Sequence, residues 1–406
     1  MTEAQGSPTE GNEQFDRWQA LAAGLYMSIV GYSVLAGIPV ISTAWSTLLG
    51  FSETQVGRIA GADLGGLSAG AVLAALLVAR LDRRKMLMLA VFGAVAANLA
   101  CAYTEGYGTT LVLRFLAGTA SGVVTGIAVA TLGGRTRAAR AFNYLLFSFA
   151  FVQAGEMYVL PRLSMEQIYM LFALSYVPAL AMLRWTPAHP QVLVPAAAEQ
   201  VPATGARGIN VPSFIPWLCL LAMALTYVNI GAYWTYIELA SADAGLDAQW
   251  VSGVLVWVSL FAVLGCLFAT ALSDRLGLAR PLLVTLLLHA ATAGMLVAGI
   301  NEPRFFVSVY AFNFLWIFVD VYQMGSVANL DGSGRFASLM PAAQGLGQIV
   351  GPNLAASILA YGAGYAGIFL MCALASLAAL VVYAAAYLRL SREVSFSSSG
   401  FAPANR

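Results

Sequence analysis

Twelve apolar runs organise this chain of 406 residues, at approximately 19–41, 54–79, 86–104, 109–131, 141–163, 166–184, 213–238, 250–272, 281–300, 304–328, 336–360 and 364–388. Each is close to the ~20 residues that a helix needs to cross the hydrocarbon core of a bilayer. Backbone in hydrocarbon must satisfy its hydrogen bonds within its own segment, so each run is predicted to be helical. Composition agrees. Apolar residues make up 60% of the chain and charged ones 10%, against about 25% charged in soluble domains. Too few charges remain to clothe a water-facing surface. The expected fold class is an all-α membrane protein of twelve transmembrane helices.

The charges set its orientation. The loop Ala79-Arg80-Leu81-Asp82-Arg83-Arg84-Lys85, between the second and third runs, holds the only lysine. Short loops rich in Lys and Arg stay on the cytoplasmic side. With that loop inside, only Arg162 and Arg304 fall in outer loops, and Arg58 and Arg114 lie within spans; every other arginine is cytoplasmic. Outer loops carry Glu53, Glu105, Glu166, Asp243, Asp247 and Glu302 instead. Both termini are therefore expected to be cytoplasmic, in a bacterial inner membrane. Met1–Asp16 contains no Lys or Arg, so no basic segment of a cleavable signal precedes the first run.

A stretch rich in Pro, Ala and polar residues, 186–212, reads as a cytoplasmic linker. It separates an N-terminal tail (1–18) and six-helix bundle (19–185) from a second bundle (213–388) and C-terminal tail (389–406). The halves echo each other. Ser273-Asp274-Arg275-Leu276-Gly277-Leu278-Ala279-Arg280-Pro281 repeats the first basic loop, and Arg140-Ala141-Phe142 corresponds to Arg335-Phe336-Ala337. Two such halves predict a pseudo-twofold arrangement about a central cavity.

Several motifs resemble those of the major facilitator superfamily. Asp274-Arg275-Leu276-Gly277 with Arg280 is similar to that family's loop signature; the first copy departs from it, with Ala79 at the expected Asp and Asp82 at the expected Gly. Leu111-x-x-Arg114-x-x-x-Gly118 resembles its fourth-span arginine motif, with Ala117 in place of a frequent Gln. Gly345-x-Gly347-x-x-x-Gly351-Pro352 in span eleven resembles the Gly-Pro motif that exporters carry in span five, whereas span five reads Gln153-Ala154-Gly155-Glu156 and lacks it. The resemblance implies secondary transport by alternating access. It also implies a gate in the basic loops: Asp274, with Arg275 beside it, against Arg335, and Asp82 against Arg140.

Ionisable residues inside spans are functional candidates by default, since burial in hydrocarbon costs several kcal/mol unless the group is paired or hydrated. Here they are Asp63, Arg114, Glu156 and Asp320, with Glu238 near an outer end. Depth at ~1.5 Å per residue places Arg114 level with Glu156, which are expected to pair. Asp63 and Asp320, left without an evident partner by that pairing, are the expected proton carriers. Span ten places Asn313, Trp316, Asp320 and Gln323 on one helical face. Tyr227, Trp234 and Glu238 in span seven, Gln344 and Gln348 in span eleven, and Tyr26 in span one complete the candidate solute pocket. It is apolar and aromatic with few fixed charges, suited to a small amphipathic or aromatic organic solute. Glycines at four-residue intervals (Gly61 and Gly65; Gly118, Gly122 and Gly126) let helix backbones approach, for sliding or for ordinary packing.

No phosphate-binding Gly-x-x-x-x-Gly-Lys loop occurs, so ATP-driven pumping is not expected. No cofactor, metal site, enzymatic constellation or nucleic-acid surface is expected either. The four cysteines lie far apart, the two histidines form no ligand cluster, and the net charge is +1 without a basic stripe. The expectation is a monomeric, proton-coupled carrier, with uptake favoured. Proton-driven export of hydrophobic compounds is the alternative, and a non-transporting receptor of the same fold a third.

Overall fold

The computed structural model describes residues 14–78, 81–188, 214–276, 278–330, 336 and 339–399, apart from the side chains at 138–139, 270, 273–276, 328–329 and 391–399. Among these residues the chain forms twelve helices and no strand. They are α1 (Trp18–Leu49), α2 (Glu53–Leu77), α3 (Arg83–Ala102), α4 (Tyr107–Gly133), α5 (Ala138–Val159) and α6 (Met165–Trp185, interrupted at Tyr176). After the linker come α7 (Phe214–Asp243), α8 (Ala248–Leu276), α9 (Ala279–Gly294), α10 (Glu302–Leu330), α11 (Met340–Ala360) and α12 (Gly364–Ser399). Each corresponds to one apolar run. Nine are long and apolar enough to cross a membrane on those grounds alone. The other three are α9, which is short, and α5 and α11, whose glycines and polar side chains lower their hydropathy.

Local signals account for the helix boundaries. Ser52 caps α2 and Ser164 caps α6, each with a glutamine three residues on (Gln55, Gln167) reaching back to the cap N–H. The Asp82 carboxylate accepts from the Arg84 and Lys85 N–H groups and starts α3. Gly50, at φ 68°, ends α1 in the left-handed region, where a side chain would be strained.

The two halves repeat the same neighbours. α4 packs on α1, α2 and α3, and α10 packs on α7, α8 and α9; α3 meets α6 as α9 meets α12. The halves touch through α2 with α11, α5 with α8, and α1 with α7. The surface of α3, α6, α9 and α12 exposes large apolar side chains, among them Leu89, Phe92, Leu174, Leu287 and Val381. Such a surface suits lipid and not water.

The closest packing is backbone on backbone, and glycines allow it. A Cβ on Gly118 or Gly122 of α4 would strike the Asp63 or Leu67 carbonyl of α2, and one on Gly66 or Gly70 of α2 would strike the Phe115 or Thr119 carbonyl of α4. The other glycine row of α2 turns elsewhere: Gly57 lies under Tyr236 of α7, and Gly61 and Gly65 lie under Asn353 and Ile349 of α11. So α2 is clasped on both sides, by its own half and by the other. Overpacking of this kind typically costs about 1–3 kcal/mol. Gly122→Ala should therefore lower the thermal stability of the purified protein, while Gly155→Ala, with no atom near its added Cβ, should not. Equal melting of the two variants would show that this contact is not limiting.

Candidate functional site

In the first half Asp63 of α2 and Asn98 of α3 converge on Arg114 of α4. It is buried, and its Nε and Nη2 both donate to Asp63 Oδ2, at 2.9 and 2.5 Å. Its Nη1 donates to Asn98 Oδ1 of α3 at 2.8 Å. The guanidinium also lies 5.6 Å from the ring of Tyr169 in α6, whose hydroxyl accepts from Trp45 Nε1 at 2.8 Å. The expected partner of Arg114 was Glu156, and the structure corrects this. Depth along separate helices does not say which faces meet. Gly118 sits one turn from Arg114 and directly against Asp63, so the glycine contact of α4 with α2 brings those two charges together. Asn98, Tyr169 and Trp45 were missed by sequence reasoning. An amide in the otherwise apolar α3 was the available signal.

The remaining acids line up along α1. Asp320 of α10 accepts the Tyr227 hydroxyl on Oδ2 at 2.7 Å, and its carboxyl is near enough to Tyr32 of α1 to act on it electrostatically. Glu156 of α5 lies over Gly37, where an added Cβ would be 3.1 Å from its Oε2. Glu238 of α7 lies near the Thr43 side chain, whose hydroxyl donates to the Pro39 carbonyl of α1 at 3.2 Å. At ~1.5 Å per residue, Tyr32, Gly37 and Thr43 spread these three acids over ~16 Å of α1. One oxygen of each (Asp320 Oδ1, Glu156 Oε2, Glu238 Oε2) is buried with no hydrogen-bond partner among the described residues. Arg114–Asp63 is the only ion pair among the described residues.

The residues expected to form the solute pocket are placed as follows. Trp316 and Trp234 meet edge-on, with centroids 6.2 Å apart, and Trp234 Nε1 donates to the Leu35 carbonyl of α1. Gln323 Nε2 donates to Thr226 Oγ1 at 2.7 Å. Asn313 is buried and bonds back to the Val309 carbonyl of its own helix. Gln348 packs its backbone against Gly231 of α7, and the Gln344 amide nitrogen is buried without a partner among the described residues. Tyr26 departs from this group, because its hydroxyl donates to the Ser175 carbonyl of α6. Tyr32 is the α1 tyrosine within electrostatic reach of Asp320.

At the end of the bundle bearing Glu53, side chains tie the halves together. Arg58 of α2 donates to the Asn353 carbonyl (3.1 Å), Asn353 Oδ1 (2.9 Å) and Ser357 Oγ (2.9 Å) of α11. The Tyr236 hydroxyl donates to the Glu53 carbonyl at 2.9 Å. At the opposite end the expected contact of Asp82 with Arg140 is not formed. The Asp82 carboxylate caps α3, and Arg140 is exposed. The other expected gate residues, Arg335 and the side chains of Asp274 and Arg275, lie outside the described residues.

Removing one partner of a buried pair costs about 3–5 kcal/mol, whereas replacing both by apolar residues is often tolerated. Asp63→Asn should thus lose most of its folded yield, and Asp63→Leu with Arg114→Met should recover part of it. Glu156→Gln should fold as well as the parent. Size-exclusion profiles of the three variants in detergent check this, and a collapsed Glu156→Gln profile would contradict the pairing.

Comparison with known proteins places this architecture. No curated protein matches the sequence. Among solved structures, the nucleoside transporter NupG superposes with a TM-score of 0.70 at 12% identity, over 91% of this chain and 99% of its own. The human organic anion transporter MFSD10 (TETRAN) superposes with a TM-score of 0.61 at 15% identity, over 90% and 98%. Residues 20–332 match the family model of the Major Facilitator Superfamily. With its twelve helices in two like halves, a glycine-clasped α2 and ionisable groups turned into the bundle, the chain belongs to the major facilitator superfamily and is an integral membrane transporter.

Proposed function

We propose that this chain is a secondary active carrier that couples protons to the movement of a small amphipathic or aromatic organic solute by alternating access. The observation that carries this is the row of Asp320, Glu156 and Glu238 along α1, three carboxyl groups inside the bundle with no cation beside them among the described residues. An acid with a fixed counter-charge, such as Asp63 against Arg114, has little freedom to exchange its proton as the cavity changes sides. An acid without one can bind and release a proton once per cycle. Asp63 and Arg114 are accordingly assigned to holding the first half together, and Asp320 to coupling, with Glu156 and Glu238 as further proton sites.

Asp320 shares its surroundings with Trp316, Trp234 and Tyr227, so protonation and solute binding would meet in one place. Apolar walls with a few placed polar groups are the usual form of a small-molecule site. A nucleoside combines a flat aromatic base with uncharged polar groups, which suits these side chains, and the nucleoside specificity of NupG makes it the first solute to try. The carrier is assigned to a bacterial inner membrane, as a monomer with cytoplasmic termini and the Glu53 end outside. The Arg58–Asn353 and Tyr236–Glu53 contacts then close the outer mouth and must break when it opens. Uptake is the favoured direction, because α5 lacks the glycine-proline pattern found in exporters.

Proteoliposomes with an imposed pH gradient test this. One proton per cycle lets about one pH unit support about tenfold accumulation. Asp320→Asn should lose that accumulation and retain solute exchange. Accumulation equal to the parent would remove Asp320 from coupling, and accumulation under the opposite gradient would make the protein an exporter. Trp316→Ala should weaken solute affinity about tenfold, whereas Trp257→Ala, on the lipid-facing surface of α8, should leave it unchanged. Equal affinities would displace the pocket from the α7–α10 face.

A further inference from the structure

The arginine-rich end of the first half carries a second cluster, apart from the acids along α1. Arg17, Arg84 and Arg184, from the starts of α1 and α3 and the end of α6, line a single cleft of about 190 Å³ with Gln14, Gln19, Trp185 and Pro187. The cleft is built by the backbone around it. Arg135 donates to the carbonyls of Phe15 (2.6 Å), Asp16 (3.0 Å) and Arg17 (2.9 Å), which pins the segment before α1. Arg84 is held by donating from Nε to the Thr186 carbonyl (2.8 Å) and from Nη2 to the Arg184 carbonyl (3.2 Å). Arg184 lies 5.8 Å from the Trp185 ring.

Among the described residues no carboxylate lines this cleft, and Asp16 and Asp82 beside it are engaged. Asp16 accepts from the Thr136 N–H and hydroxyl, and Asp82 caps α3. Beside it Arg83, 2% exposed, stacks over Phe15 and leaves Nε and Nη1 without a partner among the described residues. Guanidinium groups gathered like this, with no acid between them among the described residues, repel one another. An anion between them would relieve that repulsion, and the planar fork of arginine matches phosphate oxygens. The position adds a second constraint. Trp18 and Trp185 meet here at 5.8 Å, and Trp18 is largely exposed. Tryptophans of this kind mark the level of lipid headgroups. The apolar surface of α3, with Leu89 and Phe92, continues from there into the hydrocarbon.

We propose that this cleft is a binding site for a phosphate-bearing anion, with Arg17, Arg84 and Arg184 as its ligands. An anionic phospholipid headgroup and free phosphate share that chemistry, and the test separates them. The full-length protein in detergent is titrated with phosphatidylglycerol, phosphatidylcholine and inorganic phosphate, and binding is read by native mass spectrometry. The parent should retain phosphatidylglycerol in preference to phosphatidylcholine. Affinity should fall about fivefold for each arginine removed in Arg17→Gln and Arg184→Gln. Arg280→Gln, an exposed arginine outside the cleft, should bind like the parent. Displacement of the lipid by inorganic phosphate would make free phosphate an alternative ligand of the same arginines. If the parent favours neither phosphatidylglycerol nor phosphate, or if a folded Arg17→Gln, Arg184→Gln double variant binds as tightly as the parent, the site is refuted.

Discussion

The contact of α2 with α4 is the constraint on which the first half depends. Glycines bring the two backbones so close that a single methyl group at Gly118 or Gly122 would meet a carbonyl oxygen. In lipid no hydrophobic drive pulls helices together, so close packing and interhelical polar bonds must do so. Both operate here in the same place. The Arg114–Asp63 pair sits one turn from Gly118, and Asn98 extends it to α3. The cost of burying two charges is offset only because the two side chains are already positioned by the helices that carry them.

The other row of glycines on α2 faces the second half, and this shapes how the two halves can move. Gly57, Gly61 and Gly65 let Tyr236, Asn353 and Ile349 lie against the helix, while Arg58 bonds to the opposing backbone and side chains. These inter-half contacts are neutral or singly charged hydrogen bonds, and no ion pair crosses between the halves among the described residues. Hydrogen bonds of this kind are worth about 0.5–3 kcal/mol each. The half-internal cluster at Arg114 is of the opposite kind, charged, buried and bonded from three helices. Under the proposed rocking of one half against the other, the seam would break and this cluster would stay whole.

α1 has a different task. It passes Asp320, Glu156 and Glu238 in turn and meets them with Tyr32, Gly37 and Thr43, none of which carries a charge. None of the three acids has a cation beside it among the described residues, unlike Asp63. Asp320 is tied through Tyr227 to α7 and stands near Trp316 and Trp234, so any change at the carboxyl is felt by the aromatic wall beside it.

Twelve spans, the division into two halves and the inward set of charged residues were all legible in the sequence, because hydrocarbon allows so few solutions. A run of ~20 apolar residues has to be a helix, and a charge within one has to turn away from lipid. The α10 face of Trp316, Asp320 and Gln323 was legible for the same reason, since helical periodicity fixes which side chains share a side. Which charge met which was not legible. Asp63, Arg114 and Glu156 lie at comparable depth, and one dimension cannot say how each helix is rotated. Only the packing of Gly118 onto the Asp63 backbone gave Arg114 to Asp63 and left Glu156 over Gly37. Tyr26 and Tyr32 were separated in the same way, one turned to Ser175 of its own half and the other toward Asp320. Hydropathy sets where a residue lies along the membrane normal, whereas its rotation about the helix axis and its partner follow from close packing with helices distant in the chain.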